Sequence, residues 1–335
     1  MPTAGNSAAQ APIDDNSRRR WEEMLGSLTE LLPAGSGCLL IDGPADRAEF
    51  FASRLAEKLA EGRRAFRLTA DADEPWDLAI FLRTAPDGKA PGDHGRRERE
   101  ARADVVIDLH DVQWPVIRRP QRLAVCGRWY LTETRAFFAC RAATWDAKFG
   151  DDLPAYRAAV AEAGIRRGGV AIDAGCGTGR ALPPLREAVG PAGTVIALDM
   201  TPEMLKAAHD PVRLANAAMV IADARALPFA DASADAIFAA GLVNHLPDTE
   251  AGLRELARVT SPGGLLVLFH PSGRAALAAR HGNALSPDEP LSEAPLRRFT
   301  AATGWRLTAY DDAPDRFFAV AERRLATDAG CDETT

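Results

Sequence analysis

Cysteine is scarce in this sequence and never paired in pattern. The five cysteines (Cys38, Cys126, Cys140, Cys176 and Cys331) are odd in number, scattered, and never in C-x-x-C spacing. A disulfide framework or a structural zinc site is therefore not expected, and a reducing cytoplasm is the simplest setting. Long apolar runs are missing too. The longest, such as GLLVLF, are far too short to span a bilayer. Positive charge is not in excess either: the net charge is −7, so overall charge gives no drive toward nucleic acid or an anionic membrane, and neither is expected as a partner. A local basic patch remains compatible with that balance. The opening stretch MPTAGNSAAQAPIDDNS lacks a basic segment followed by an apolar one, and it reads as a flexible tail over 1–17. What is present is ordinary for a globular protein, with 47% hydrophobic and 26% charged residues. A length of 335 residues suits about two domains.

The first half alternates strand and helix signals. Trp21, Met24, Leu25, Leu28, Leu31 and Leu32 fall on one face of a helix that starts near Arg18 and is broken by Pro33 to Gly37. GCLLID then reads as a buried strand, and AEFFASRLAEKLAEG as a helix with Phe51, Leu55 and Leu59 in line. RAFRLT, DLAIFLRT and ADVVIDLHD are further strands, while APDGKAPGDHGRRERE is expected to be a loop or exposed segment. The alternation predicts a small α/β layer with a parallel sheet. The turn IDGPADRAEF has the setting of a phosphate-binding loop, G-x-x-x-x-G-K-[ST], but Ala48, Glu49 and Phe50 stand where Gly, Lys and Ser or Thr are needed. A Glu there repels phosphate, and a Phe cannot ligate magnesium. GCLLIDGPADRAEFFASRLAEKL, WDLAIFLRT and RADVVIDLHDVQWPVIRRP resemble the sheet-forming segments of the uridine-kinase-like P-loop family, over about Leu31 to Pro120. The family's phosphate-gripping residues are absent, and the stretch before WDLAIF is too short for its substrate and lid segments. The resemblance implies a degenerate, non-catalytic P-loop-like α/β domain over 18–128. Its expected roles are packing, homo-oligomerisation or shaping of an acceptor site.

The most informative stretch is GGVAIDAGCGTGRALPPLREAVG. A buried strand leads into a loop with glycines at Gly175, Gly177 and Gly179, and a helix follows. A dinucleotide loop, G-x-G-x-x-G, would place its third Gly where Arg180 stands. The tighter turn after Asp173 lets the backbone approach an amino-acid moiety that carries both an ammonium and a carboxylate. A glycine-rich turn with no ligand is the competing reading. TVIALDM ends in Asp199, twenty residues past Gly179, a distance at which an acid can accept ribose hydroxyls. Met200 beside it offers an apolar face. Thr201 is the expected N-cap of the next helix. A third strand precedes Asp223, and a fourth begins near Asp235.

DAGCGTG, ALDM, IADA and LARVTSPGGLLVLFHP, in that order, resemble the motifs of class I S-adenosylmethionine (SAM)-dependent methyltransferases. The likeness is closest to the small-molecule, ubiquinone-biosynthesis-like branch, whose members carry a Trp-Asp or Tyr-Asp pair upstream, as in FFACRAATWDAKF. It runs from about Leu131 to Arg324. It implies an α/β, Rossmann-like class I methyltransferase sheet with helices on both faces over 129–326, followed by a flexible tail at 327–335. It also implies SAM as the cofactor and a small-molecule acceptor. The implied cofactor contacts are Trp145, Asp173, Ala174, Gly175, Gly177, Thr178, Gly179, Asp199, Met200, Asp223, Ala224 and Ala240. In the family, the Asp223 position accepts the adenine amino group and Ala224 presents its backbone amide to the ring.

In that fold the activated methyl group needs mainly proximity, orientation and, where required, removal of a proton. Histidine is the side chain best matched to that last task near neutral pH. His245 and His270 follow strands four and five, where ligands of open α/β sheets bind, and His281 lies in a segment able to cover the site. Phe137, Phe138, Trp145 and Tyr156 are candidates to line the acceptor pocket. No metal-ligand spacing is present. Two other activities fit the same loop: SAM binding without methyl transfer, and a SAM-dependent rearrangement or cyclisation.

Overall fold

Asp14 opens the first helix by accepting the Ser17 amide at 2.7 Å, so helix α1 (Asp15–Leu31) begins three residues before Arg18. The computed structural model describes residues 14–84, 94–120, 128–149, 151–209, 216–280 and 285–325. His281, the rest of the tail expected over 1–17, and that at 327–335 lie outside these residues. The chain divides into two compact units, Met1–Ala136 and Phe137–Thr335, with the division inside helix α4 (Arg128–Ala139).

In the first unit α1 buries Trp21, Met24 and Leu28 completely, as its periodicity predicts. Full burial of such a side chain is worth about 1.5–3 kcal/mol. The sheet contains β1 (Gly37–Asp42), β2 (Phe66–Thr69), β3 (Leu78–Arg83), β4 (Val105–Asp108) and β5 (Val116–Pro120). Their spatial order is β2-β1-β3-β4-β5; the first four run parallel and β5 runs antiparallel to β4. Helix α2 (Ala45–Glu61) follows β1 directly and buries Phe51, Leu55 and Leu59. Residues 94–100 of the stretch expected as a loop or exposed segment are not loop but belong to helix α3 (His94–Arg102). Its Arg, Glu and Ala residues are good helix formers, and Glu98 pairs with Arg102 four residues on. The rest of that stretch, 85–93, lies outside the described residues.

The second unit holds a seven-stranded sheet in the order β11-β12-β10-β9-β6-β7-β8. These strands are β6 (Val170–Ala174), β7 (Thr194–Asp199), β8 (Ala218–Ile221), β9 (Ala234–Ala240), β10 (Thr260–His270), β11 (Trp305–Ala313) and β12 (Arg316–Arg323). β8, β7, β6, β9 and β10 are parallel, whereas β12 is antiparallel to both β10 and β11. Separate apolar cores lie on the two faces: one includes Ile172, Ile237, Leu256, Leu268 and Trp305, the other Ala171, Leu185, Phe238, Val267 and Phe318. That is the doubly wound, Rossmann-like pattern. From β6 the chain goes one way to β7 and β8, then returns to the other side for β9. The strand order therefore reverses between β6 and β9, and the crevice at their carboxyl ends is where such sheets bind ligands.

The Pro-Gly-Gly of LARVTSPGGLLVLFHP lies within β10. Four residues, Ser261 to Gly264, oppose Asp235 alone in a bulge, with Gly263 at φ 78°.

Candidate functional site

The turn after β6 requires glycine. Gly175, Gly177 and Gly179 have φ of 70°, 53° and 81°, a region disfavoured for residues with a Cβ. Backbone and side chain from β7 hold the turn in place. The amides of Gly175 and Cys176 donate to Leu198 O at 2.8 and 2.9 Å, and Gly177 N donates to Asp199 Oδ2 at 2.9 Å. The other oxygen of Asp199 accepts the Thr201 amide at 2.8 Å. Thr201 is the N-cap of helix α8 (Pro202–Ala208), as expected, but its hydroxyl makes no capping bond and its own amide donates to Asp199.

Asp173 sits beside this turn and is 1% exposed, with Oδ2 buried and without a hydrogen-bond partner. Burial, with the nearby Asp199 charge adding to it, pushes the Asp173 carboxyl up to about 8. Burial raises Asp199 as well, against the Thr201 and Gly177 amides that favour its charged form. Two buried acids, one with an orphaned oxygen, are a pair that the N–H donors of a cation could satisfy. The space is there too: a Cβ built at Gly177 meets nothing within 4 Å, while one at Gly175 meets Leu242 at 3.2 Å.

Helical turns N-terminal to β6 bring aromatics together. Phe138 is edge-on to Trp145 at 5.5 Å, to His245 at 5.1 Å and to Phe137 at 5.0 Å between ring centroids. His245 lies exposed on a 3-10 turn (Val243–His245) just past β9. His270 ends β10, and its Nδ1 lies 3.0 Å from Ser272 O. A carbonyl only accepts, so this contact places the proton on Nδ1. Tyr156, on helix α6 (Leu153–Ala163), packs edge-on against Phe269 at 4.9 Å. Burial, then the charges of Asp152 and Asp173, keep its hydroxyl protonated.

The remaining candidates are spread along neighbouring strand ends. Ala174 is fully buried at the end of β6, Met200 is half-buried just after Asp199, and Ala240 closes β9. Asp223 lies two residues past β8, followed by buried Ala224, and it grips Arg225 through Nε at 3.0 and 3.1 Å and Nη2 at 2.7 Å. Thr178 turns its hydroxyl to Asp146 Oδ1 at 2.5 Å. The sequence does not by itself assign Asp146, Asp152 and Arg180 to the site, although the Trp-Asp pair and the Arg in the third-glycine position both stand out in it. Arg180 donates from Nε to Asp146 Oδ1 at 3.2 Å and also pairs with Asp152. No group of three or more His, Cys, Asp or Glu side chains among the described residues is placed to hold a metal ion. A cavity of about 630 Å³ lined by Arg167, Arg186, Glu187 and Thr194 opens elsewhere, at the amino end of β7, away from the strand ends that gather these residues.

Residues 172–268 match the sequence model of a family described as a methyltransferase domain. Demethylmenaquinone methyltransferase from Staphylococcus aureus (strain JH9) is 36% identical over 110 residues, covering 32% of this chain and 46% of that protein. The chain thus spans about half the length of the curated relatives it matches. Among solved structures, a SAM-dependent methyltransferase from Aquifex aeolicus is 23% identical, with a TM-score of 0.47, covering 55% of this chain and 98% of that one. Magnesium protoporphyrin IX methyltransferase from Synechocystis PCC 6803 is 17% identical, with a TM-score of 0.45, covering 58% of this chain and 97% of that one. The segment from Ile172 to Leu268, which carries the glycine turn and Asp199, is therefore similar to a methyltransferase domain.

Proposed function

We propose that this protein transfers the methyl group of S-adenosylmethionine to a small-molecule acceptor. The observation that carries the reading is the unpartnered, buried carboxylate oxygen of Asp173 beside a turn left open at Gly177. Asp173 would hold the ammonium group, and Asp199, whose oxygens each retain a second lone pair, would accept the ribose hydroxyls. Asp223 and Ala224 would meet the adenine edge, with Met200 against the ring. SAM bound there supplies a methyl group already activated on a sulfonium. The chain's own work is to hold both partners, exclude water through Phe138 and Trp145, and take up a proton where the acceptor loses one. His245 is the better-placed acceptor of that proton, because its ring joins the aromatic group through Phe138. The methyltransferase-domain match and a relative whose name gives demethylmenaquinone as its acceptor support this reading.

The first unit is read as a kinase-like scaffold that no longer grips phosphate. Glu49 is exposed at the lysine position, and Phe50 packs edge-on against Trp21 at 5.4 Å. The carboxyl ends of its strands are engaged by their own charges, with Arg99 on Asp42 at 3.2 Å and Arg83 on Glu100.

Titration calorimetry with SAM tests the proposal. The expected result is micromolar binding that is lost in Gly177→Arg and Asp199→Ala. Wild-type protein that binds neither SAM nor S-adenosylhomocysteine would sink it. Transfer of a radiolabelled methyl group to an acceptor separates methyl transfer from binding alone and from cyclisation.

A further inference from the structure

Two motifs that look unrelated in the sequence, the Trp-Asp pair at 145–146 and the Thr-Gly-Arg at 178–180, meet in the fold. Thr178 and Arg180 flank Gly179, and both side chains are buried although both are polar. Both reach the same carboxylate. Thr178 Oγ1 donates to Asp146 Oδ1 at 2.5 Å, Arg180 Nε donates to that oxygen at 3.2 Å, and Arg180 Nη2 donates to the Asp146 carbonyl at 3.1 Å. Arg180 also pairs with Asp152, the residue immediately before helix α6. One guanidinium thus ties the glycine turn to Asp146 and Asp152, 34 and 28 residues upstream.

The turn consequently has two supports. On the β7 side, Leu198 and Asp199 hold the amides of Gly175, Cys176 and Gly177. On the other side, Thr178 and Arg180, the turn residues with strong hydrogen-bonding side chains, are clamped to Asp146. A run with three glycines at positive φ has much conformational freedom to lose on binding a ligand. A clamp that removes that freedom beforehand raises affinity without touching the ligand. The clamp also fixes Trp145, the neighbour of Asp146, whose ring stands against Phe138.

We infer that Asp146 and Arg180, with Thr178, form a latch that preorganises the glycine turn for its cofactor, so that these are positioning residues acting through the backbone of 175–179. The inference rests on the reading of the turn as a SAM site. It assigns Arg180 a role other than a carboxylate clamp: its charge is already committed to Asp146 and Asp152.

The test pairs calorimetry with hydrogen exchange on the full chain, using SAM and S-adenosylhomocysteine as probes. Asp146→Ala is expected to weaken binding of both about 10-fold and to speed exchange in peptides covering 174–181 before ligand is added. Asp146→Asn keeps an acceptor for Thr178 and is expected to recover part of the affinity. Thr178→Val is expected to lose about 3-fold, and Asp146→Ala with Thr178→Val together no more than Asp146→Ala alone, since both act through one contact. Should Asp146→Ala fail to fold, as judged by far-UV circular dichroism, the same comparison is made with Asp146→Asn and Thr178→Val. Variants that bind both ligands as the wild type does, with only a lower melting temperature, overturn the latch and leave the SAM reading intact. A wild type that binds neither ligand overturns both.

Discussion

Asp199 and Gly177 are joined by a 2.9 Å hydrogen bond from backbone amide to carboxylate, so the acid at the end of one strand holds the turn at the end of the next. Its second oxygen is engaged by the Thr201 amide, which fixes the carboxylate plane. In Asp199→Ala both amides lose their acceptor, at a cost of about 1–3 kcal/mol each where they stay dry, partly offset by removal of a buried charge. The expected outcome is a modest fall in melting temperature with a large loss of SAM affinity. Calorimetry and thermal melts on the same preparation separate the two.

Gly177 and Gly179 should respond differently to the same change. A Cβ at Gly177 meets nothing, so Gly177→Ala bears only the cost of its positive φ, about 1 kcal/mol, while placing a methyl group where a ligand must approach. At Gly179 the Cβ would come within 2.9 Å of Leu182 and 3.2 Å of Ala208. Gly179→Ala should therefore cost about 2–4 kcal/mol of stability. Equal melting temperatures for the two variants would contradict this assignment.

Asp173 gives the SAM-free protein a pH dependence of known sign. Its folded carboxyl titrates near 8, above the ordinary 3.8, so the fold favours the protonated form. The stability this contributes is complete below about pH 4 and is lost as pH rises toward 8. A bound ammonium group reverses the preference. Affinity for SAM should therefore climb between pH 6 and pH 8, with release of up to one proton per site, readable as buffer-dependent calorimetric enthalpies. Asp173→Asn should melt higher than wild type above pH 7 and fail to bind SAM. Affinity that is flat across this range would refute the cation-site reading of Asp173.

Arg20 and Glu133 form a fully buried pair in the first unit at 2.5 Å, with Arg20 also donating to Pro115 O and Glu133 accepting the Ile117 amide. Burial pushes the Glu133 carboxyl up despite Arg20, so the pair depends on both members. Arg20→Ala should cost about 3–5 kcal/mol, because it leaves a buried acid uncompensated. Arg20→Met with Glu133→Leu should lose less. Hydrogen exchange at 116–118 reports which variant releases β5.

In the first unit, Phe50→Ser is expected to destabilise without creating a phosphate grip. It removes a ring stacked edge-on against Trp21 and covered by Arg54 at 4.9 Å. A loss of about 1–2 kcal/mol, with no binding of magnesium-ATP before or after the change, is the outcome anticipated from its packing. Micromolar ATP binding by the wild type would contradict the scaffold reading.

The parts of this site that are legible in the sequence are those where local backbone needs dictate residue type. Gly175, Gly177 and Gly179 announce a turn at positive φ, and the spacing to Asp199 places an acid on the adjacent strand. Contacts between distant segments leave no such mark. Nothing in the sequence around Asp146 says that its partner is Arg180, because a polar side chain in a helical stretch reads as solvated until the fold brings a partner to it. Helix α3 is hidden for the opposite reason: RREREAR has no apolar face to give a period, only helix propensity and an ion pair. Thr201 stands at the N-cap without a capping bond from its hydroxyl, and its amide goes to an acid two residues upstream, whose reach is decided by the strand end rather than by any motif.

The bulge in β10 leaves no room for even one more carbon. A Cβ at Gly264 would lie 2.6 Å from Thr260 Cγ2, 2.8 Å from Ser261 O and 2.9 Å from Asp235 O, two of them backbone atoms that cannot swing aside. Any larger residue there must displace backbone where β10 meets β9. A missing methyl group thus keeps the bulge closed, and Gly264→Ala is expected to lower the melting temperature by loosening the seam between β9 and β10.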